Sequence, residues 1–338
     1  MTLYCGIDLH CNNSVVVIID EEDKVIFNKR LPNDLESIQA TLQPYQGELA
    51  DCVVESTYNW YWLVDGLIDA GFSLHLANTA AITQYEGIKH TNDSTDAFHL
   101  AHLLRLDILP EGYIYPCHER GVRDLLRRRL LLVRQQTMLH LSTQGMITRH
   151  TGKRLTCNQV KQLNNESIHE LLPDPCIALA AQTNLEMMVV LSQNIERMEK
   201  AVYQKCKNQA DFQLLTTVPG IGKILGMTIS LETGDIARFK AVGNYTSYAR
   251  CVNSSKISNG KNKGHGNRKN GNRYLSWAFI EATHFATMWS PEIKRYYQRK
   301  LSKSHLMVAR KTVANKLARA CYHMLKQKVP FDINRAFG

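Results

Sequence analysis

No run of 18 or more residues in this chain is continuously apolar. A membrane-spanning helix needs about 20 such residues, so no span is expected. The opening stretch, Met1-Thr2-Leu3-Tyr4-Cys5-Gly6-Ile7-Asp8, lacks a basic region ahead of a long apolar segment, and a secretory signal is not expected either. The nine cysteines include no CxxC pair, and Cys5 and Cys11 are the two nearest in sequence. That scatter, with an odd total, argues against a disulfide framework and a structural zinc site, and for reduced thiols in a cytoplasm. Long internal repeats and low-complexity tracts are missing as well. A further absence is local. Ile236 to Ile280 holds nine Lys/Arg and no acid, and residues 293–328 hold eleven Lys/Arg and again no acid.

The 338 residues suit two or three domains of about 100–200 residues each. The formal net charge of +10 is unevenly spread. Residues 1–112 carry 17 Asp/Glu against 5 Lys/Arg, and the remainder carries 36 basic against 14 acidic residues. Such asymmetry points to one surface built for a polyanion and another region with a different task.

Residues 3–9, 15–19 and 24–31 read as strands, the latter two joined by the acidic turn at 20–23. Asp34 caps a helix over 35–43. A short apolar strand at 52–55 follows, then a helix over 60–70, a strand over 72–77, a helical stretch near 79–88, a polar loop, and a helix from about Asp96 to Leu106. Three meandering strands followed by alternating units predict a mixed sheet with helices on its faces. From Glu119 the texture changes to a long basic amphipathic helix carrying Arg120, Arg123, Arg127, Arg128, Arg129 and Arg134. A second long helix near 178–205 repeats Met188, Leu191, Ile195, Met198 and Val202, the seam of an antiparallel or dimeric coiled coil. A Pro- and Asn-containing connector, 151–177, lies between them. The expected organisation is α/β plus all-α: a catalytic domain over 1–118, long helices over 119–208, and a mainly helical domain over 209–338.

Asp8 ends the first strand, Glu55 ends the fourth, and Asp93 and Asp96 stand three apart at a helix start, a spacing that puts both on one helical face. Carboxylates at adjacent strand ends facing a helix start form a cage for hard cations. Two such ions about 3.5–4 Å apart can clamp the attacking and leaving oxygens of a phosphodiester. Four carboxylates this close repel, so some should hold raised pKa values until metal binds. The order Gly6-Ile7-Asp8, an isolated Glu after an apolar strand, then Asp-x-x-Asp-Ala resembles the ribonuclease-H-like fold of RuvC Holliday-junction resolvases.

Val218-Pro219-Gly220-Ile221-Gly222, followed by Lys223, looks like a helix-hairpin-helix turn, in which glycines let backbone approach a phosphate. Such turns position DNA rather than read it. The segment 253–268, Asn-Ser-Ser-Lys-Ile-Ser-Asn-Gly-Lys-Asn-Lys-Gly-His-Gly-Asn-Arg, cannot pack a core, and its cations call for an anion such as a nucleic-acid backbone. The basic candidates are Lys256, Lys261, Lys263, Arg268, Lys269 and Arg273, together with Lys223, Arg127 and Arg128. A serine among such cations can act as a nucleophile on phosphorus, and composition does not choose among Ser254, Ser255 and Ser258.

Taken together, the chain resembles the insertion-sequence 110 family of transposases, which includes the Piv-type DNA invertases, nearly from end to end. Gly6-Ile7-Asp8, Glu55 and Asp93-Ser94-Thr95-Asp96-Ala97 resemble the family's acidic motifs, and Val218-Pro219-Gly220-Ile221-Gly222 the opening of its C-terminal domain. Ser258-Asn259-Gly260-Lys261 stands where the family has Ser-Gly-Gly-Lys, ahead of a matching Arg268–Leu275 segment. The resemblance implies a RuvC-like domain, a coiled coil and a transposase domain with Ser258 as nucleophile. It implies Mg²⁺, with Asp8, Glu55, Asp93 and Asp96 as ligands, and a homo-oligomer, dimer or tetramer, in which one subunit's carboxylates meet another's serine. It also implies a non-coding bridge RNA that pairs with donor and target DNA, a covalent serine–phosphate link, and exchange through a Holliday junction. Three departures stand out: Asn259 replaces a glycine, which should leave the loop backbone less free; Ile257 replaces a common serine; and Thr91-Asn92 replaces the usual Lys-Thr.

Three rivals remain. A RuvC-like structure-specific endonuclease would hydrolyse junctions with water and need no serine. An actin-like ATPase shares Gly-Ile-Asp on its first strand, but here Leu9-His10-Cys11-Asn12-Asn13-Ser14 follows instead of a phosphate loop. A non-catalytic nucleic-acid binder would leave the acidic cluster idle.

Overall fold

The computed structural model describes residues 1–82, 92–252, 257–264 and 270–338. The chain divides into two units, Met1–Cys117 with Ser254–Asn270, and His118–Asn253 with Gly271–Gly338.

The first unit holds β1 (Leu3–Leu9), β2 (Asn13–Ile19), β3 (Val25–Pro32), α1 (Leu35–Leu42), β4 (Leu49–Glu55), α2 (Tyr61–Asp69), β5 (Leu74–Ala77) and α3 (Asp93–Arg105). The sheet order is β3-β2-β1-β4-β5. β1 is antiparallel to β2 and β2 to β3, whereas β4 is parallel to both β1 and β5. This is the mixed sheet that the strand and helix order predicted. Because side chains alternate across a sheet, Leu3, Cys5, Ile7 and Leu9 face one way and pack with Ile38, Leu42, Leu63 and Leu67. Val15, Val17 and Ile19 face the other way and pack on Ala97 and Ala101 of α3. Each such aliphatic side chain, fully buried, contributes about 1.5–3 kcal/mol.

Gly6 sits on the α3 face, where an added Cβ would lie 2.0 Å from the Ala97 carbonyl oxygen and 2.8 Å from the Ala101 nitrogen. Only glycine lets the helix backbone come this near to the strand. The far end of α3 is pinned by Asp23, which accepts hydrogen bonds from Arg105 Nε at 2.7 Å and Nη2 at 2.6 Å and lies 2.9 Å from His102 Nδ1. α3 starts at Asp93, three residues earlier than expected, because the Asn92 side chain caps it by accepting from the Thr95 N–H at 2.9 Å. Of the helical stretch expected near 79–88, the described part is a single 3₁₀ turn at Thr79–Ala81, and the rest lies outside the described residues.

In the second unit, α4 (Cys117–Thr151) and α7 (Pro175–Cys206) run antiparallel. Arg129 pairs with Glu199 near one end, Gln136 donates to Ser192 midway, and Ile147 packs with Ala178 and Ala181 at the other. Of the expected seam residues, Met188, Leu191, Ile195 and Val202 are buried and Met198 is half-buried. Among the described residues α7 has the length and apolarity of a membrane span; its contacts with α4 instead give it a place in this helical unit. The connector contains two short helices, α5 (Cys157–Lys161) and α6 (Asn165–Leu171), each with a capping box. After them come α8 (Ala210–Leu215), α9 (Lys223–Thr233), α10 (Val242–Tyr248), α11 (Arg273–Trp289), α12 (Pro291–Leu301), α13 (Leu306–Gln327) and α14 (Ile333–Phe337). Their core centres on Tyr245, Phe279, Leu317 and Cys321. All nine cysteines are free.

A two-residue hairpin, β6 (Ile257–Ser258) and β7 (Lys261–Asn262), turns through Asn259 at φ 49° and Gly260 at φ 69°. Two positive φ values in a two-residue connection make a type I′ turn, for which Asn-Gly is the preferred pair. Asn259 fits this turn, since asparagine is the non-glycine residue that best accepts the conformation.

Candidate metal centre and serine hairpin

The parallel pairing of Ile7 with Val54 puts the next residues, Asp8 and Glu55, side by side at the ends of β1 and β4. Asp8 follows Gly6 by two, so it shares the face against which α3 packs. The close approach allowed by Gly6 brings the first turn of α3, with Asp93 and Asp96, to the same place. Asp8 is 3% exposed. Burial, then hydrogen bonding to and repulsion from Asp8, then the charge of Asp96, push the Glu55 carboxyl up to about 8. Asp96 is also raised, by burial first and then by the Asp8 charge. All four expected carboxylates thus gather at one sheet end, and the predicted crowding is present in two of them.

Two residues absent from the expected set share this site. His10 Nε2 lies 3.1 Å from Asp8 Oδ2 and 3.4 Å from Asp93 Oδ2. Asp8, His10 and Asp93 each offer a ligand atom within 4.8 Å of the others. The His10 carbonyl is held by the Asn33 side chain at 2.9 Å and the Asn59 side chain at 3.0 Å. Arg30 of β3 pairs with Asp93 and also donates to Asn13 at 3.1 Å. A histidine two residues beyond Asp8 was a legible signal, since that spacing repeats the same face. Arg30 was not legible, because its role depends on the register of β2 on β3. An all-oxygen tetrad with one imidazole at its edge fits a divalent cation, which would relieve the repulsion that helps raise Glu55 and Asp96.

Ser258 is exposed, and its side chain has no hydrogen bond or ion pair among the described residues. Lys261 and Lys263 beside it are exposed too. Ser254, Ser255, Lys256, Arg268 and Lys269 lie outside the described residues. The segment re-enters the second unit through a clasp: Asn272 N–H donates to the Tyr248 carbonyl at 2.6 Å, and Arg250 Nε to the Gly271 carbonyl at 3.0 Å. Gly271 has φ 84°, and a Cβ there would lie 2.5 Å from the Tyr248 oxygen.

The remaining basic candidates divide. Arg128 and Arg273 are exposed, as is Lys223 at the start of α9, its ammonium 4.8 Å from the Tyr203 ring centre. Arg127 is committed inside the protein. Its Nε and Nη2 donate to the two oxygens of Glu232 at 2.6 and 2.7 Å, and it lies over the Tyr274 ring. Asn272 Nδ2 donates to the same Glu232 carboxylate at 2.7 Å. The two turn glycines also differ in task. A Cβ on Gly220 would lie 2.4 Å from the Ala286 nitrogen, so this glycine lets the turn pack on α11, whereas Gly222 faces open space at the head of α9.

Two family models match the chain. Residues 5–151 match a transposase family model of the DEDD, IS110 type. Residues 212–298 match the family described as Transposase IS116/IS110/IS902. A protein of Pseudomonas aeruginosa described as a probable family 20 transposase is similar at 21% identity, over 96% of each chain. With the acidic domain and the C-terminal domain present in the same order, the chain belongs to the IS110 family of transposases.

Proposed function

We propose that this transposase cleaves and exchanges DNA strands with Ser258 as nucleophile and Asp8, Glu55, Asp93 and Asp96 as the holders of Mg²⁺. The observation that carries the reading is the convergence of the four carboxylates, with the Glu55 carboxyl pushed up to about 8. Mg²⁺ bound there would neutralise the cluster and stabilise charge developing on a phosphodiester. In the covalent step the Ser258 oxygen bonds phosphorus as the bond to the leaving deoxyribose oxygen breaks. The proton lost by serine is balanced by the one that oxygen gains. Lys261 and Lys263 offset charge beside the reacting phosphate, and Lys223, Arg128 and Arg273 grip backbone.

In this reading residues 1–118 form a RuvC-like catalytic domain, 119–208 an oligomerising helical segment, and 209–338 the transposase domain. The assembly is a dimer or tetramer acting on donor and target DNA in the bacterial cytoplasm, with a bridge RNA as guide. The exposed serine, without a hydrogen bond to any base among the described residues, supports a site completed by a second subunit. The same fact favours the rival, a junction endonuclease that uses water. Ser258→Ala separates them. Loss of strand exchange and of a protein–DNA adduct, with the purified Mg²⁺-loaded protein on a supercoiled donor, is expected; unchanged cleavage would establish hydrolysis. Co-purification of a discrete RNA tests the guide.

A further inference from the structure

In the second unit, the C-terminal half of α13, the turn at 328–332 and α14 enclose a cavity of about 580 Å³. Its rim carries Lys316, Arg319, His323 and Arg335, and its floor is the buried Met324, beside which stand the exposed Val329 and Pro330 and the half-buried Phe331. Among the described residues, none of these cations is ion-paired with a carboxylate. The one acid on the rim, Asp332, accepts the backbone N–H groups of Asn334 and Arg335 as the cap of α14.

We propose that this cavity seats an unstacked nucleotide of a single-stranded nucleic acid, with phosphate on the cationic rim and base against the apolar floor. The proposal rests on the nucleic-acid chemistry of the reading above but assigns a site away from the tetrad and the serine hairpin. The volume lies within the usual range for small-ligand sites, roughly 300–1,000 Å³. The pairing of a positive track with an apolar or aromatic platform is the usual means of holding single strands. The rim also pays for its own charge in the free protein. Burial, then Arg319 and Arg335, lower the pKa of His323, and burial, then Arg299 and Lys300, lower that of Lys316. A bound phosphate relieves this repulsion. The Lys316 ammonium lies 4.5 Å from the Tyr296 ring centre and 5.1 Å from that of Phe337.

The test uses the full chain, a labelled single-stranded RNA and a DNA of the same sequence, and the double variant Arg319→Gln/Arg335→Gln, with Arg154→Gln as an exposed control. Losing two phosphate contacts should cut the salt slope of single-strand binding by about 1.4 and weaken binding about tenfold or more at low salt. Duplex binding and the melting temperature should hold. A photoreactive thio-base in the strand should crosslink within residues 316–336. Preference for the RNA or the DNA arm identifies the source of the nucleotide. If the wild type binds both strands and the double variant matches it in affinity and slope, the cavity assignment is overturned while the strand-exchange reading stands. If the variant instead changes only the oligomeric state, the cavity is a subunit contact and the assignment also fails. Wild-type protein that binds no nucleic acid would overturn the reading beneath it.

Discussion

Removing Arg127 should cost the helical unit more than removing Glu232, although the two face each other. The Glu232 side chain is 2% exposed and that of Arg127 is 30% exposed. Arg127→Ala leaves the buried Glu232 carboxylate without its guanidinium, the Asn272 amide still donating to it, and breaking a buried pair this way costs about 3–5 kcal/mol. Glu232→Ala leaves a guanidinium that can still reach water and the Tyr274 ring. Its main penalty is the unsatisfied Asn272 amide, about 1–3 kcal/mol. Replacing both, as Arg127→Met/Glu232→Leu, should cost less than Arg127→Ala alone, because apolar pairs of similar volume substitute for buried ion pairs at little cost. Urea unfolding of these variants, with Arg127→Ala/Glu232→Ala added to close the cycle, gives the individual costs and the coupling energy. Equal costs for the two single variants, with coupling below about 0.5 kcal/mol, would mean that the sites act independently and would refute the reasoning.

In metal-free protein the Glu55 carboxyl is pushed up to about 8, whereas an unfolded glutamate gives up its proton near the ordinary 4.5. The folded state binds more protons across that window, so melting temperature in chelator should fall as pH rises from 4.5 to 8, and Asp8→Asn should flatten the decline. Divalent metal must displace the same proton, so Mn²⁺ titrations should show tighter binding with rising pH up to about 8, and proton release below it. Gly6→Ala forces a methyl group into the α3 backbone and should cost about 1–3 kcal/mol or more, with a loss of Mn²⁺ affinity larger than that seen for Ala97→Gly. Asn259→Gly should leave strand exchange intact, and Asn259→Val, which resists positive φ, should abolish it without lowering the melting temperature.

Much of the acidic unit was legible because its rules are local and periodic. Alternation along β1 and β4 places Asp8 and Glu55 at strand ends, and the three-residue spacing places Asp93 with Asp96. The start of α3 was misjudged because one Asn92 side chain moved it by a turn. Arg30 and the commitment of Arg127 depend on partners 63 and 105 residues away, and no short-range pattern reports those. The same holds for Gly220 and Gly222, alike in sequence, of which one is consumed by packing on α11. The turn at Asn259-Gly260 was readable in principle, since that pair is itself the signature of its turn type.

The clasp of Tyr248 and Arg250 on Gly271 and Asn272 makes the intervening stretch a tethered insertion. Its ends are joined by the helical core, so the entropy of closing it is already met whatever lies between them. Lengthening such a segment twofold costs only about 0.6 kcal/mol. Beyond Cys251, which packs in the helical core, residues between the clasp points can therefore change composition, length and charge with little effect on folding, and the chemistry they carry can evolve apart from the stability of the helical unit.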